Sequence, residues 1–212
     1  PGISGAAAGL AYHGADVVLV AEDEQLASYA TDAYAATLVG AIQRERPYAV
    51  LLASTPNGRD LAARVAGRLQ LGLTGDAIGL EVDHEGRLVQ LKPAFGGNVV
   101  APILSKTLPN MATVRPGVLE ALAPNPEREI AVRQLDAAPA VERVRRIEGR
   151  AIDGADVAAI SASWALIGVG NGVGGVEFLP ELDPLRDLLG AQYVITRDVA
   201  DAGWMPRQLQ VG

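Results

Sequence analysis

Cysteine is absent from this sequence, which excludes disulfides and thiolate-bound metals. Histidine occurs only twice, too sparsely for a histidine-rich metal cluster. There is no excess of positive charge either. Lys and Arg total 18 against 25 Asp and Glu, a formal charge of −7, which argues against a general nucleic-acid binder. No stretch of about 20 apolar residues is free of charges, so no membrane-spanning helix is expected. No secretory signal is visible at Pro1, and the expected compartment is the cytoplasm. An initiator Met is also missing, so the start is expected to be incomplete. No Ser-His-Asp set or carboxylate pair stands out, and nothing points to a hydrolase. Internal repeats and low-complexity tracts are lacking.

What is present reads as a soluble, globular chain. Hydrophobic residues are 49% and charged residues 20% of 212 positions, enough for a sizeable core and one to two domains. Residues 5–12 are helix-compatible and stop at Gly14. "DVVLVAED" and "YAVLLAST" are continuous apolar runs, expected as central strands buried on both faces. Between them, residues 29–44 place Tyr34, Leu38, Ala41 and Ile42 on one helical face. "NGRDLAARVAGRLQL" repeats the pattern with Leu61, Val65 and Leu69. Strand, helix, strand, helix predicts βαβ units and an α/β fold with a mainly parallel sheet flanked by helices.

The pattern changes after Gly72. "AIGLEVDHEGRLVQLKPAFGG" predicts a hairpin around Asp83-His84-Glu85-Gly86. "NVVAPILSKTLPNMATVRPGVLEAL" supplies further strands, and 128–147 alternates as edge strands do. A charged segment from about Arg143 to Gly154 reads as a linker, dividing the chain into domains 1–150 and 151–212. A short helix (Asp153 to Ala159), a strand ending "ALIGVG", a glycine run, a helix at "ELDPLRDLLG" and a closing strand follow.

Several residues carry more than one reading. Gly170, Gly172 and Gly175 fit G-x-G-x-x-G after a strand, where glycines let backbone N–H groups approach a phosphate. The acidic residue expected about 20 positions on is missing, so a plain strand-to-helix turn is favoured and an NAD-linked dehydrogenase is disfavoured. Arg197 is either a solvated strand-end arginine or a ligand contact at the carboxyl end of a parallel strand. His84 is expected to be exposed, His13 to cap a helix, and Asp60 to be explained by capping and solvation.

"DVADAGWMPRQLQVG" resembles the flavin-domain signature of the electron transfer flavoprotein alpha subunit family, in which a Ser-Arg pair precedes a V-D-A-G turn, an aromatic and a Q-V-G-Q-T-G run. Here the pair is Thr196-Arg197, the aromatic is Trp204, and Gln210-Val211-Gly212 begins the run. "TPNGRDLAARVAGRL" with "GLTGDAIGLEVD", "LKPAFGGNVVAPI" and "MATVRPGVLE" are similar to first-domain motifs of the same family, with Lys92 in place of an arginine. Asn171 stands where the family usually has arginine in a G-R-G turn.

The resemblance implies a fragment. About one strand and one helix are expected before Pro1, and the downstream half of the flavin domain after Gly212. It implies an electron carrier without substrate turnover of its own, which uses FAD to pass electrons from acyl-CoA dehydrogenases to a quinone oxidoreductase. It implies a beta-subunit partner that holds AMP and docks on the first domain, as a heterodimer. By the same resemblance, Arg197 lies against the isoalloxazine ring and favours its reduced form, and Thr196 hydrogen-bonds near the ring. Gln210, Val211 and Gly212 line the loop over it, and Asn171 sits at the mouth of the sheet. FAD binding by these 212 residues alone is expected to be weak or absent. Asn171 and the shortened flavin domain keep open an alternative: a nucleotide-binding or structural α/β module that has lost the redox site.

Overall fold

The computed structural model describes residues 3, 6–128, 130–139, 147–148 and 155–211. The chain divides into two compact units, Pro1–Arg145 and Arg146–Gly212. The segment read as a linker lies outside the described residues except at 147 and 148.

The first unit opens with α1 (Ala7–Tyr12), which stops where Gly14 turns to φ +102°. At the helix end, His13 Nδ1 donates to the carbonyl of Leu122 at 2.9 Å and ties it to a distant loop. The chain then runs through β1 (Val17–Val20), α2 (Thr31–Glu45), β2 (Ala49–Ala53), α3 (Pro56–Leu69) and β3 (Leu73–Ala77). A hairpin follows, β4 (Gly79–Val82) and β5 (Leu88–Ala94), extended by β6 (Val99–Leu104). Its turn is the expected one. The Asp83 carboxylate accepts from the backbone N–H of Glu85 and Arg87, both at 2.9 Å, and Gly86 takes φ +76°. His84 in this turn is exposed, as expected. Last come β7 (Asn110–Val114) and β8 (Ala131–Gln134). β8 is the part of the 128–147 stretch that forms an edge strand; residues 129 and 140–146 lie outside the described set.

Two parallel sheets and one antiparallel sheet result: β2-β7-β3, β1-β8, and β4-β5-β6. The expectation that "DVVLVA" and "YAVLLA" are central is corrected. β7 is central, with Asn110 to Thr113 all buried, whereas among the described residues β2 lies at an edge and β1 pairs on one side only. An apolar run marks a strand, but its place in the sheet is set by which later strand inserts beside it. "NMATV" carries that insertion. The core forms where α2 and α3 cover this sheet, around Ala35, Ile42, Val65, Ala66 and Met111. Leu38 on α2 and Leu61 and Leu69 on α3 pack against it, on the faces their spacing predicts.

One contact fixes how α3 meets β2. A Cβ placed on Gly58 would lie 1.9 Å from the Ala53 carbonyl oxygen, so only glycine fits there. Thr55 caps the same turn, accepting from the Gly58 N–H at 3.1 Å. A cavity of about 560 Å³, lined by Leu19, Leu26, Leu38, Ala41, Leu61 and Leu135 among others, lies beside β1 under α2.

The second unit holds α4 (Ala155–Ala162), β9 (Leu166–Val169), α5 (Asp183–Leu189), β10 (Gln192–Ile195) and α6 (Arg197–Asp201). β9 and β10 pair in parallel across a crossover that contains α5, the opening of a Rossmann-like unit. α5 stops at Gly190, φ +56°. No helix among the described residues is long and apolar enough to cross a membrane.

Candidate functional site

The carboxyl ends of β9 and β10 stand side by side, with Val169 opposite Ile195. Both are buried and, with Val199 on α6, form the small core beneath this edge. The chain leaves the sheet at Thr196, whose N–H donates to the Val169 carbonyl at 3.0 Å. It forms α6, turns at Gly203 with φ +71°, and passes through a 3-10 turn at Arg207–Leu209. It then returns to where it began. Gln210 bridges Ile195 in parallel, and the Val211 N–H donates to the Ile195 carbonyl at 3.1 Å. Residues 196–210 thus make a loop whose two ends meet at one residue of the sheet edge.

This loop brings together four of the residues expected to form a site: Thr196, Arg197, Gln210 and Val211. Thr196 stands just before α6, yet its hydroxyl makes no capping bond, and the residue is exposed. Arg197 is open to solvent, its side chain 77% exposed. Asn171 is exposed in the facing turn after β9, and Gly170 before it lies against the methyl of Thr196. Gly212 lies outside the described residues.

The glycine run forms a turn. Asn171–Val173 is a 3-10 turn and α5 begins only at Asp183. Of the run, Gly174 alone needs a left-handed backbone, at φ +95°. Gly170, Gly172 and Gly175, the three that fit the fingerprint, do not.

Two residues of the site were not anticipated. The Asp201 carboxylate accepts from Arg197 Nε at 3.1 Å with one oxygen and from Arg207 Nη2 at 2.7 Å with the other. The first pair has a signal in sequence, since Arg197 and Asp201 are four apart on a helix. Arg207 arrives by the turn at Gly203 and has none. A second cavity, of about 520 Å³, lies at the other end of β10, between Arg186, Gly190, Gln192 and Leu209. Tyr193 borders it and donates to Asp183 at 3.0 Å. Burial first, and that bond second, push its hydroxyl pKa up.

In the first unit, Asp60 does more than cap or solvate α3. It accepts from Tyr29 Oη and Thr31 Oγ1, both at 2.6 Å, and binds the start of α2 to α3. Those bonds, Thr31 before Tyr29, hold its carboxyl below the ordinary range. Burial, then the bond to Asp60, pushes the Tyr29 hydroxyl up to about 12. At the carboxyl end of the first sheet, Arg115 donates to both oxygens of Asp76, at 2.5 and 3.3 Å, and lowers that carboxyl. Lys92 Nζ donates to the Gly75 carbonyl at 2.5 Å.

The second unit therefore offers two guanidinium groups, a free hydroxyl and a folded-back backbone at the end of a parallel sheet. No group of three His, Cys, Asp or Glu residues that could hold a metal occurs among the described residues. Such groups can receive an electron-rich, planar or anionic molecule. The comparisons are specific. Residues 2–140 match the family model of the electron transfer flavoprotein domain, and residues 159–212 that of the electron transfer flavoprotein FAD-binding domain. The chain is 38% identical over 209 residues to electron transfer flavoprotein subunit alpha of Clostridium acetobutylicum, covering 94% of this chain and 61% of that protein. It is 31% identical over 205 residues to the subunit alpha of Bacillus subtilis, covering 96% and 62%. It is also 32% identical over 211 residues to lactate dehydrogenase (NAD(+),ferredoxin) subunit LctC of Acetobacterium woodii, covering 94% and 48%. The chain belongs to the electron transfer flavoprotein family, on the alpha-subunit side, and spans less than two thirds of the length of these relatives.

Proposed function

We propose that the protein of which this chain is part carries electrons through FAD held at the carboxyl edge of the β9–β10 sheet. The observation that carries the reading is the 196–210 loop, closed on Ile195, which presents Thr196 and Arg197 beside the turn at Asn171. The groups present fit the cofactor. Guanidinium and hydroxyl donors suit the carbonyl and nitrogen edge of a flavin ring. FAD supplies the reversible uptake of electrons. The chain's own residues bind and orient it, and Arg197 places positive charge where negative charge accumulates on reduction.

The same reading extends to partners. A beta subunit that holds AMP docks on the first unit. Acyl-CoA dehydrogenases donate electrons and a quinone oxidoreductase accepts them, in the cytoplasm. The relative named as a lactate dehydrogenase subunit supports a second version, in which the chain serves within a dehydrogenase complex rather than as a free carrier.

The test is to produce the full-length protein with its beta partner. A yellow complex with flavin absorbance is expected, and a colourless one favours a structural or nucleotide-binding module instead. In the yellow complex, Arg197→Ala lowers the flavin reduction potential and Arg197→Lys restores part of it, because an ammonium cannot reproduce the planar fork. An unchanged potential in both variants makes Arg197 a solvated strand-end residue and moves the site elsewhere.

A further inference from the structure

We propose that Asp201 is a positioning residue shared by two arginines, and that Arg207 is a second cation of the flavin site; this rests on reading that site as a flavin site. One carboxylate meets two guanidinium groups, one oxygen each. The cluster carries one net positive charge. Asp198, the other charged group of the loop, makes no ion pair with either arginine. The side chains of Arg197 and Arg207 are 77% and 70% exposed, so both stay open to a ligand at the sheet edge.

The mode of contact matters. An arginine that faces a carboxylate alone tends to bind it with its whole fork and has its charge cancelled. Arg197 bonds to Asp201 through Nε alone, so its terminal nitrogens are left for a ligand. Arg207 keeps the remaining oxygen engaged through Nη2. When Arg197 turns to a ligand, Asp201 is not stranded, because Arg207 still compensates it. Arg207 therefore releases Arg197 for binding, and Asp201 sets how much positive charge the edge presents.

The signs of the effects follow. Arg207→Gln leaves Asp201 to Arg197, takes the cluster from one positive charge to none, and weakens FAD binding. Asp201→Asn frees both arginines, takes the cluster to two positive charges, and tightens it. For exposed ion pairs the expected change is about two- to fivefold in each direction. The double variant returns to one charge and to near wild-type affinity. Arg207→Lys keeps the charge and retains most of the affinity.

The experiment uses the full-length protein with its beta partner, stripped of flavin and titrated with FAD by fluorescence, followed by a redox titration of each loaded variant. Opposite shifts of the dissociation constant for Arg207→Gln and Asp201→Asn, with the potential falling in the first and rising in the second, are the expected result. Shifts of the same sign, or none, in variants whose wild type binds FAD overturn this inference and leave the flavin reading intact. A wild-type complex that takes up no FAD overturns both.

Discussion

Gly58 is the position at which a single methyl group tests the packing of the first unit most directly. In Gly58→Ala the new Cβ is placed 1.9 Å from the carbonyl oxygen of Ala53 and 3.1 Å from its carbonyl carbon. Both are backbone atoms of β2, so neither can swing aside. Either α3 lifts off the strand or its first turn distorts. The distortion threatens the Thr55 cap, whose bond runs to the Gly58 N–H. Overpacking costs about 1–3 kcal/mol, and a lost cap about 1 kcal/mol. The helix gains about 1 kcal/mol from replacing glycine by alanine. The net expectation is a loss of about 1–3 kcal/mol, a large share of the stability of an ordinary domain. Gly67 is the control. It lies in the same helix with nothing within 4 Å of a built Cβ, so Gly67→Ala should stabilise by about 0.5–1 kcal/mol. Urea unfolding followed by far-UV circular dichroism measures both. A Gly58→Ala protein as stable as the Gly67→Ala protein would show that α3 does not sit on β2 as described.

Other positions give independent checks. Asp60 has a lowered folded pKa, so its contribution is full above the ordinary carboxylate value and is lost as pH falls through the folded one. Asp60→Asn should therefore cost about 1 kcal/mol at neutral pH and flatten the acid limb of the melting profile. Tyr29 is raised to about 12, so its contribution holds below the ordinary phenol value and fades as pH rises toward 12; Tyr29→Phe should remove that alkaline loss. Gln90 is fully buried on β5, and both its amide oxygen and nitrogen lack a partner. Gln90→Met should raise stability by about 1–3 kcal/mol in thermal melts, and a decrease would mean that the amide is paired. Limited proteolysis should leave "YAVLLAS", which contains β2, uncut at early times; early cleavage there would contradict the pairing of β2 with β7.

Much of the architecture was legible because short-range patterns determine it. Leu61, Val65 and Leu69 repeat at helical spacing and do face the core. Asp83 to Gly86 has the chemistry of a tight turn and forms one. What could not be read was what distant segments bring together. "NMATV" looks like any apolar strand, and only pairing with β2 and β3 makes it central. Asp60 looks like a helix-terminal acid until Tyr29 and Thr31 fold onto it. In the second unit, Thr196 and Arg197 were legible through a motif, whereas the partnership of Arg207 with Asp201 depends on the path of the turn at Gly203. Side chains joined by tertiary closure leave no periodic trace.

The central place of β7 bears on how the first unit is made. During synthesis, β2, α3 and β3 emerge before the strand that joins them, and Leu51 has no partner until Ala112 appears. β1 waits longer still, since Val17 pairs with Ala131. Such non-local, parallel pairings carry a high contact order and fold slowly. Until the ribosome has delivered β7 and β8, the nascent chain displays unpaired apolar edges open to chaperones or to its own neighbours.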